Sequence, residues 1–121
     1  MDSETSLNVL PLGLIELDAT GTVLYYKPEQ RENFDTPPSE IVGRNFFTEI
    51  APVAQAREFQ DLIKDFARSH APASSFNFTF VNGHRTLPVR VLLARIHEQS
   101  GLDRTESLFV HIRLGQQQIA A

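Results

Sequence analysis

No cysteine occurs in the 121 residues. That single zero excludes a disulfide, a thiolate nucleophile, an iron–sulfur cluster and a cysteine-ligated zinc. Long apolar runs are also missing, and nothing approaches the roughly 20 residues of a membrane-spanning helix. Positive charge is in short supply: 11 Lys and Arg stand against 15 Asp and Glu, for a net charge of −4. Neither nucleic acid nor an anionic membrane therefore has an electrostatic claim on the chain. The opening Met-Asp-Ser-Glu-Thr-Ser has neither the basic start nor the apolar core of a secretion signal, which points to the cytoplasm.

Catalytic signatures are lacking too. There is no Gly-rich phosphate loop after a strand, no His-Glu-x-x-His and no serine in a nucleophile elbow. Glu16, Asp18, Glu32 and Asp35 fall on turns and polar stretches, where a carboxylate is by default solvated. His70, His84, His97 and His111 are scattered; the last two would face each other across a final hairpin, but with no third ligand they make a poor zinc site. An enzyme and a metal site are both set aside.

What is present suits one ordinary globular domain. The chain is 41% hydrophobic and 21% charged, and 121 residues bury one real core. Its centre is Glu40–Pro52, Glu-Ile-Val-Gly-Arg-Asn-Phe-Phe-Thr-Glu-Ile-Ala-Pro. Gly43 breaks the backbone, Asn45 can cap a short helical turn, and Pro52 stops it. Phe46, Phe47 and Ile50 place three large apolar groups on so short a helix that it must be the wall of something larger.

Around this hub the pattern predicts a strand at Leu12–Leu17, a turn at Asp18–Gly21 and a strand at Thr22–Tyr26, together a hairpin. Lys27–Ser39, with three prolines, reads as irregular with short helical turns at 28–34 and 38–42. Arg57–Arg68 reads as a helix with Phe59, Leu62, Ile63 and Phe66 in one stripe. Three strands follow: Ser74–Phe80, with its phenylalanines alternating; Arg85–Ile96, where Pro88 marks a bulge or an edge-facing position; and Leu108–Leu114. Asn82-Gly83 supplies a tight turn, and 98–105 reads as a polar loop. Two strands, a helical block and a three-stranded meander make an α+β arrangement. Residues 1–11 are expected to be a tail or cap, 12–115 the domain and 116–121 a second tail.

Residues 12–24, Leu-Gly-Leu-Ile-Glu-Leu-Asp-Ala-Thr-Gly-Thr-Val-Leu, resemble the opening hairpin of a PAS domain, a small sensory module of bacterial signalling. Ile41–Pro52, with its Gly-Arg-Asn-Phe-Phe and Ala-Pro steps, resembles the photoactive yellow protein type of that family, and the likeness runs to about Leu93. The resemblance implies a PAS fold: a five-stranded antiparallel sheet of order 2-1-5-4-3, with helices packed on one face over a pocket. It also implies what is lost. The family's cysteine, which holds p-coumaric acid by a thioester directly after the Ala-Pro step, is Val53 here. Tyr26 matches the family's phenolate-binding tyrosine, but Gln30 stands for its glutamate, Phe34 for its threonine and Thr36 for its arginine. A glutamine can donate a hydrogen bond but cannot be the acid that yields a proton.

The pocket positions implied are Tyr26, Gln30, Phe34, Phe46, Ile50, Val53 and Phe80, with Tyr26 and Gln30 as polar handles for a small ligand. No covalent cofactor is expected. Haem-binding PAS domains take an axial histidine from the long helix, and Arg57–Arg68 contains none. Strand 85–96 is apolar on both faces, with Leu92, Ala94 and Ile96 on one set and Leu87, Val89, Val91 and Leu93 on the other. The first set is the expected interface for a signalling partner or for a homodimer, the alternative being burial beneath Leu7, Val9 and Leu10 in a monomer. The functional expectation is a cytoplasmic sensory module that acts through protein–protein contacts, with or without a non-covalent ligand. Its alternatives are a ligand-free dimerisation or interaction module with a filled pocket, and a non-covalent chromophore or haem sensor.

Overall fold

The computed structural model describes residues 7–8, 10–29, 38–51, 53–82 and 85–115. In chain order the strands are β1 (Leu7–Asn8), β2 (Gly13–Leu17), β3 (Val23–Pro28), β4 (Ile50–Ala51), β5 (Ala73–Asn82), β6 (Arg85–Ser100) and β7 (Asp103–Leu114). One helix, α1 (Arg57–Arg68), and two 3-10 turns, Pro38–Glu40 and Val53–Gln55, lie between β3 and β5. Five strands form one antiparallel sheet of order β3-β2-β7-β6-β5, which counted along the sheet strands alone is 2-1-5-4-3, as expected. No helix among the described residues is long and apolar enough to cross a membrane.

Alternation decides which sheet face meets α1. Val89, Val91, Leu93, Leu108, Val110 and Ile112 are buried on one side of the two long strands. Phe59, Ile63 and Phe66 of α1 close over that side, each removing enough apolar surface to stabilise by about 2 kcal/mol. Leu62, expected in the same stripe, is instead 41% exposed on the helix flank. Phe59 is the aromatic centre, with its ring 4.8 Å from Phe80, 5.2 Å from Phe78 and 5.8 Å from Phe76.

The hub is built into the edge of the sheet. Asn45 Oδ1 accepts from the amides of Phe47 (2.9 Å) and Thr48 (3.1 Å), the expected cap, and Glu49 N closes the turn on Asn45 O. Asn45 Nδ2 donates to Thr20 O, and Val23 N, Gly43 N and Phe46 N bond to Arg44 O, Val23 O and Gly21 O. Gly21 is obligatory there. Its φ is +93°, and a Cβ would lie 2.7 Å from the Phe47 ring. The helical turn ends sooner than the expected Pro52, because Ile50 and Ala51 are extended and pair in parallel with Leu7 and Asn8. Residues 7–8 of the expected N-terminal tail or cap are thus a short strand.

Two further expectations change. The polar stretch 98–105 is not a loop: Ser100 pairs with Asp103 around a two-residue turn, with Gly101 at φ +64°. This hairpin runs past the last β2–β7 pair, Leu17–Leu108, and of its described side chains His97, Leu102, Thr105 and Glu106 are exposed. Its register also parts the two histidines. His97 stands opposite Glu106, with Nδ1 3.2 Å from the carboxylate, and His111 opposite Leu92. Pro88 causes no bulge in the unbroken β5–β6 register. Its carbonyl accepts from Gly115 N, so the missing donor on the same side faces the place where β7 ends.

The Asp18–Gly21 turn is a carboxylate cage. Asp18 Oδ1 accepts from the Thr20 hydroxyl (2.7 Å), Thr20 N (2.8 Å) and Thr22 N (3.0 Å). The Thr20 hydroxyl bond holds the Asp18 carboxyl below its ordinary 3.8; partial burial opposes this, and the amides of Thr22, Thr20 and Gly21 add to it. A lowered folded value means that the turn's stabilisation is complete above about pH 4 and is lost as pH falls through the folded value. Asp18→Asn keeps the acceptor without the charge. The difference in urea midpoint between wild type and this variant is therefore expected to be constant from pH 7 to 5 and to shrink below pH 4.

Candidate functional site

Five of the seven expected pocket positions are described, and all five are in the core. Tyr26 is 3% exposed, Phe46, Ile50 and Val53 are 0%, and Phe80 is 4%. Gln30 and Phe34 lie outside the described residues, as does Thr36. Local sequence explains each placement. Tyr26 sits on β3 opposite Ile15 and points inward by strand alternation. Phe46 and Ile50 flank the Asn45-capped turn. Val53 opens the 3-10 turn that leads into α1.

Tyr26 does not present its proton to a ligand in this arrangement. Its hydroxyl donates to Leu12 O at 3.0 Å, tying β3 to the chain just before β2. A phenol has one proton, so the hydroxyl can serve a ligand as donor only by giving up Leu12. Val53 puts a branched alkyl group where covalent attachment needs sulfur, and no cysteine exists elsewhere to replace it. The residues present do not fit a thioester-held group.

Gln60, a polar residue inside α1 that periodicity could not single out, ties these parts together. Its Nε2 donates to Phe47 O (3.0 Å) and Val53 O (2.8 Å), so one amide fastens the hub and the Val53 turn to the helix. Such a partner is set by tertiary placement and leaves no local sequence signal.

The structure also shows an open groove of about 550 Å³ at the other end of α1. It lies between the Asp18–Gly21 turn, the Lys64 and Arg68 side of the helix, and Arg95 and Glu106 on the long hairpin. None of the five described pocket residues lines it. On the sheet face away from α1, Leu92 is 37% exposed and Ala94 and Ile96 are half-buried, opposite His111, Phe109 and Ser107. The expected interface trio thus shares one face, while Val89, Val91 and Leu93 belong to the core. Among the described residues, no three His, Asp or Glu side chains gather as a metal site.

Residues 7–111 match the model of the PAS fold family. The chain is 31% identical over 100 residues to the photoactive yellow protein of Halochromatium salexigens, covering 83% of this chain and 76% of that protein. It is 28% identical over 92 residues to that of Rhodothalassium salexigens, covering 76% and 74%. Among solved structures it resembles the photoactive yellow protein domain of the sensor histidine kinase Ppr from Rhodospirillum centenum. That match has a TM-score of 0.56 and 27% identity, over 84% of this chain and 92% of that one.

Proposed function

This chain belongs to the PAS fold family, in its photoactive yellow protein branch, and on that premise we propose a sensory module that works without a covalent chromophore. Its signal leaves through protein–protein contacts. The observation that carries the first part is Val53, fully buried at the position the family's attachment cysteine holds. A related domain in a sensor histidine kinase supports a signalling setting. The partner-facing surface in this reading is the Leu92, Ala94 and Ile96 face of the sheet.

A small ligand, where one binds, is held non-covalently among Tyr26, Gln30, Phe34, Phe46, Ile50, Val53 and Phe80. It acts by population shift, favouring one packing of the hub and α1 on the sheet. A second reading, a ligand-free interaction module, is favoured by the Tyr26 to Leu12 bond and by the near-complete burial of the described wall residues.

The test is an absorption spectrum and a native mass of protein purified from its own host, repeated after denaturation. Extra mass or a near-ultraviolet band that disappears on denaturation is the result expected of a ligand sensor. The bare chain mass in both states selects the ligand-free reading. An adduct that survives denaturation would overturn non-covalent action altogether.

A further inference from the structure

The two edges of the sheet are treated differently. The β3 edge is guarded: the hub bonds to it at Val23 and to Gly21 just before it, and Lys27 and Pro28 close its other end. Among the described residues the β5 edge has none of these devices. Its ten residues, Ala-Ser-Ser-Phe-Asn-Phe-Thr-Phe-Val-Asn, contain no charge and no proline, and they pair with β6 without a register shift. Among the described residues, β6 is the sole strand beside it.

Register shows which backbone groups that edge offers. Pro88 O faces β7, so the neighbouring Leu87 and Val89 face β5, where they meet Phe80 and Phe78. Arg95 N, which donates to Pro72 O, follows the same parity. The even-numbered residues of β5 therefore turn their amides and carbonyls toward β6. Ala73, Ser75, Asn77, Thr79 and Val81 turn theirs outward, and all five are exposed.

We propose that this edge pairs antiparallel with the same edge of a second copy of the chain, about a two-fold axis at Asn77. The register brings Asn77 opposite its own copy, Ser75 opposite Thr79 and Ala73 opposite Val81, each pairing able to close two N–H···O bonds. No like charges meet, because the segment has none. The partner also continues the aromatic layer. Phe76 of one copy falls beside Phe78 of the other, on the side where both rings are only half-buried against Phe59. The symmetry closes, since the other edge of each copy's sheet is the guarded β3. The result is one ten-stranded sheet with both Leu92, Ala94 and Ile96 faces on the same side. This pairing stands whether or not a ligand or signalling partner binds.

An edge contact is small, so a weak dimer is expected, and sedimentation of the whole chain from about 10 µM to about 1 mM reads it. The sedimentation coefficient should rise from monomer to dimer over that range. Asn77→Asp keeps its place beside Arg90, which already bonds Asn77 Oδ1 at 3.4 Å, but sets two carboxylates face to face at the axis. It should weaken the dimer at least about tenfold. Ser75→Pro removes an outward donor while leaving the β5–β6 ladder whole, and should weaken it further at unchanged circular dichroism. Leu92→Glu, on the sheet face, should leave it intact. A monomer throughout, a mass that climbs past the dimer, or a dimer lost to Leu92→Glu but kept in Asn77→Asp would each overturn the proposal.

Discussion

Phe59→Ala is expected to destabilise the domain by about 4 kcal/mol, the middle of the range for a buried phenylalanine. Three things add up at this residue. The side chain is 0% exposed, so its whole transfer free energy is lost. Its neighbours cannot close the cavity, because Phe80 and Phe78 are fixed on a paired strand and Phe46 on the Asn45-capped turn. The ring also makes edge contacts with Phe76 and Phe78, and each such pair is worth roughly 1 kcal/mol beyond burial. Phe59→Leu fills much of the volume without the ring and should cost about half as much. Urea denaturation gives both values from the shift in midpoint at constant slope. A Phe59→Ala loss below about 1 kcal/mol would mean that α1 does not hold the phenylalanines of β5 as described.

The difference between what was and was not legible in the sequence has a physical pattern. Arg57–Arg68 was readable because burial of Phe59, Ile63 and Phe66 imposes a 3.6-residue period. Leu108–Leu114 was readable because one face is core and the other is not. The hairpin beyond Ile96 was not, since its sequence does not alternate apolar with polar residues, and a polar stretch without a period looks like a loop. Misplacing that turn also misplaced His97 against His111. Leu62 failed for a related reason: three stripe positions already fill the space over β5 and β6, leaving the fourth on the flank. The β1–β4 pairing spans only two residues and has no pattern to detect. For the candidate site, the Ala-Pro step and Tyr26 pointed to the expected pocket positions by family resemblance, and the five described ones are buried. The Tyr26 to Leu12 bond and the two bonds of Gln60 depend on where distant backbone carbonyls fall, which no local window records.

Arg95 is the sharpest instance of such a non-local partner, and Arg95→Met is expected to cost about 2–3 kcal/mol. The last carbonyls of a helix have no partners within it. In α1 the Arg95 guanidinium, reaching across from β6, supplies them: Nη2 donates to Phe66 O and Ser69 O, both at 2.8 Å, and Nη1 to Ala67 O at 3.2 Å. Nε approaches Ala71 O at 3.4 Å, and the group lies 5.0 Å from the centre of the Phe66 ring. A cation at the negative end of the helix dipole adds to these bonds. Methionine keeps the apolar stem over Phe66 and removes every donor, so its loss isolates the cap. Lysine restores the charge at a single point and cannot span carbonyls on four residues, so Arg95→Lys should recover less than half. Amide exchange separates this from general loosening. In Arg95→Met the amides of Ser69 and of the last turn of α1 should lose protection first, while those of Val91 and Val110 follow only the fall in global stability. Equal loss at all of them would show that Arg95 packs against the core without anchoring the helix. Early fraying confined to the helix end would instead make Arg95 the link that holds α1 to the long hairpin, the contact on which the packing shift of the proposed sensory reading would act.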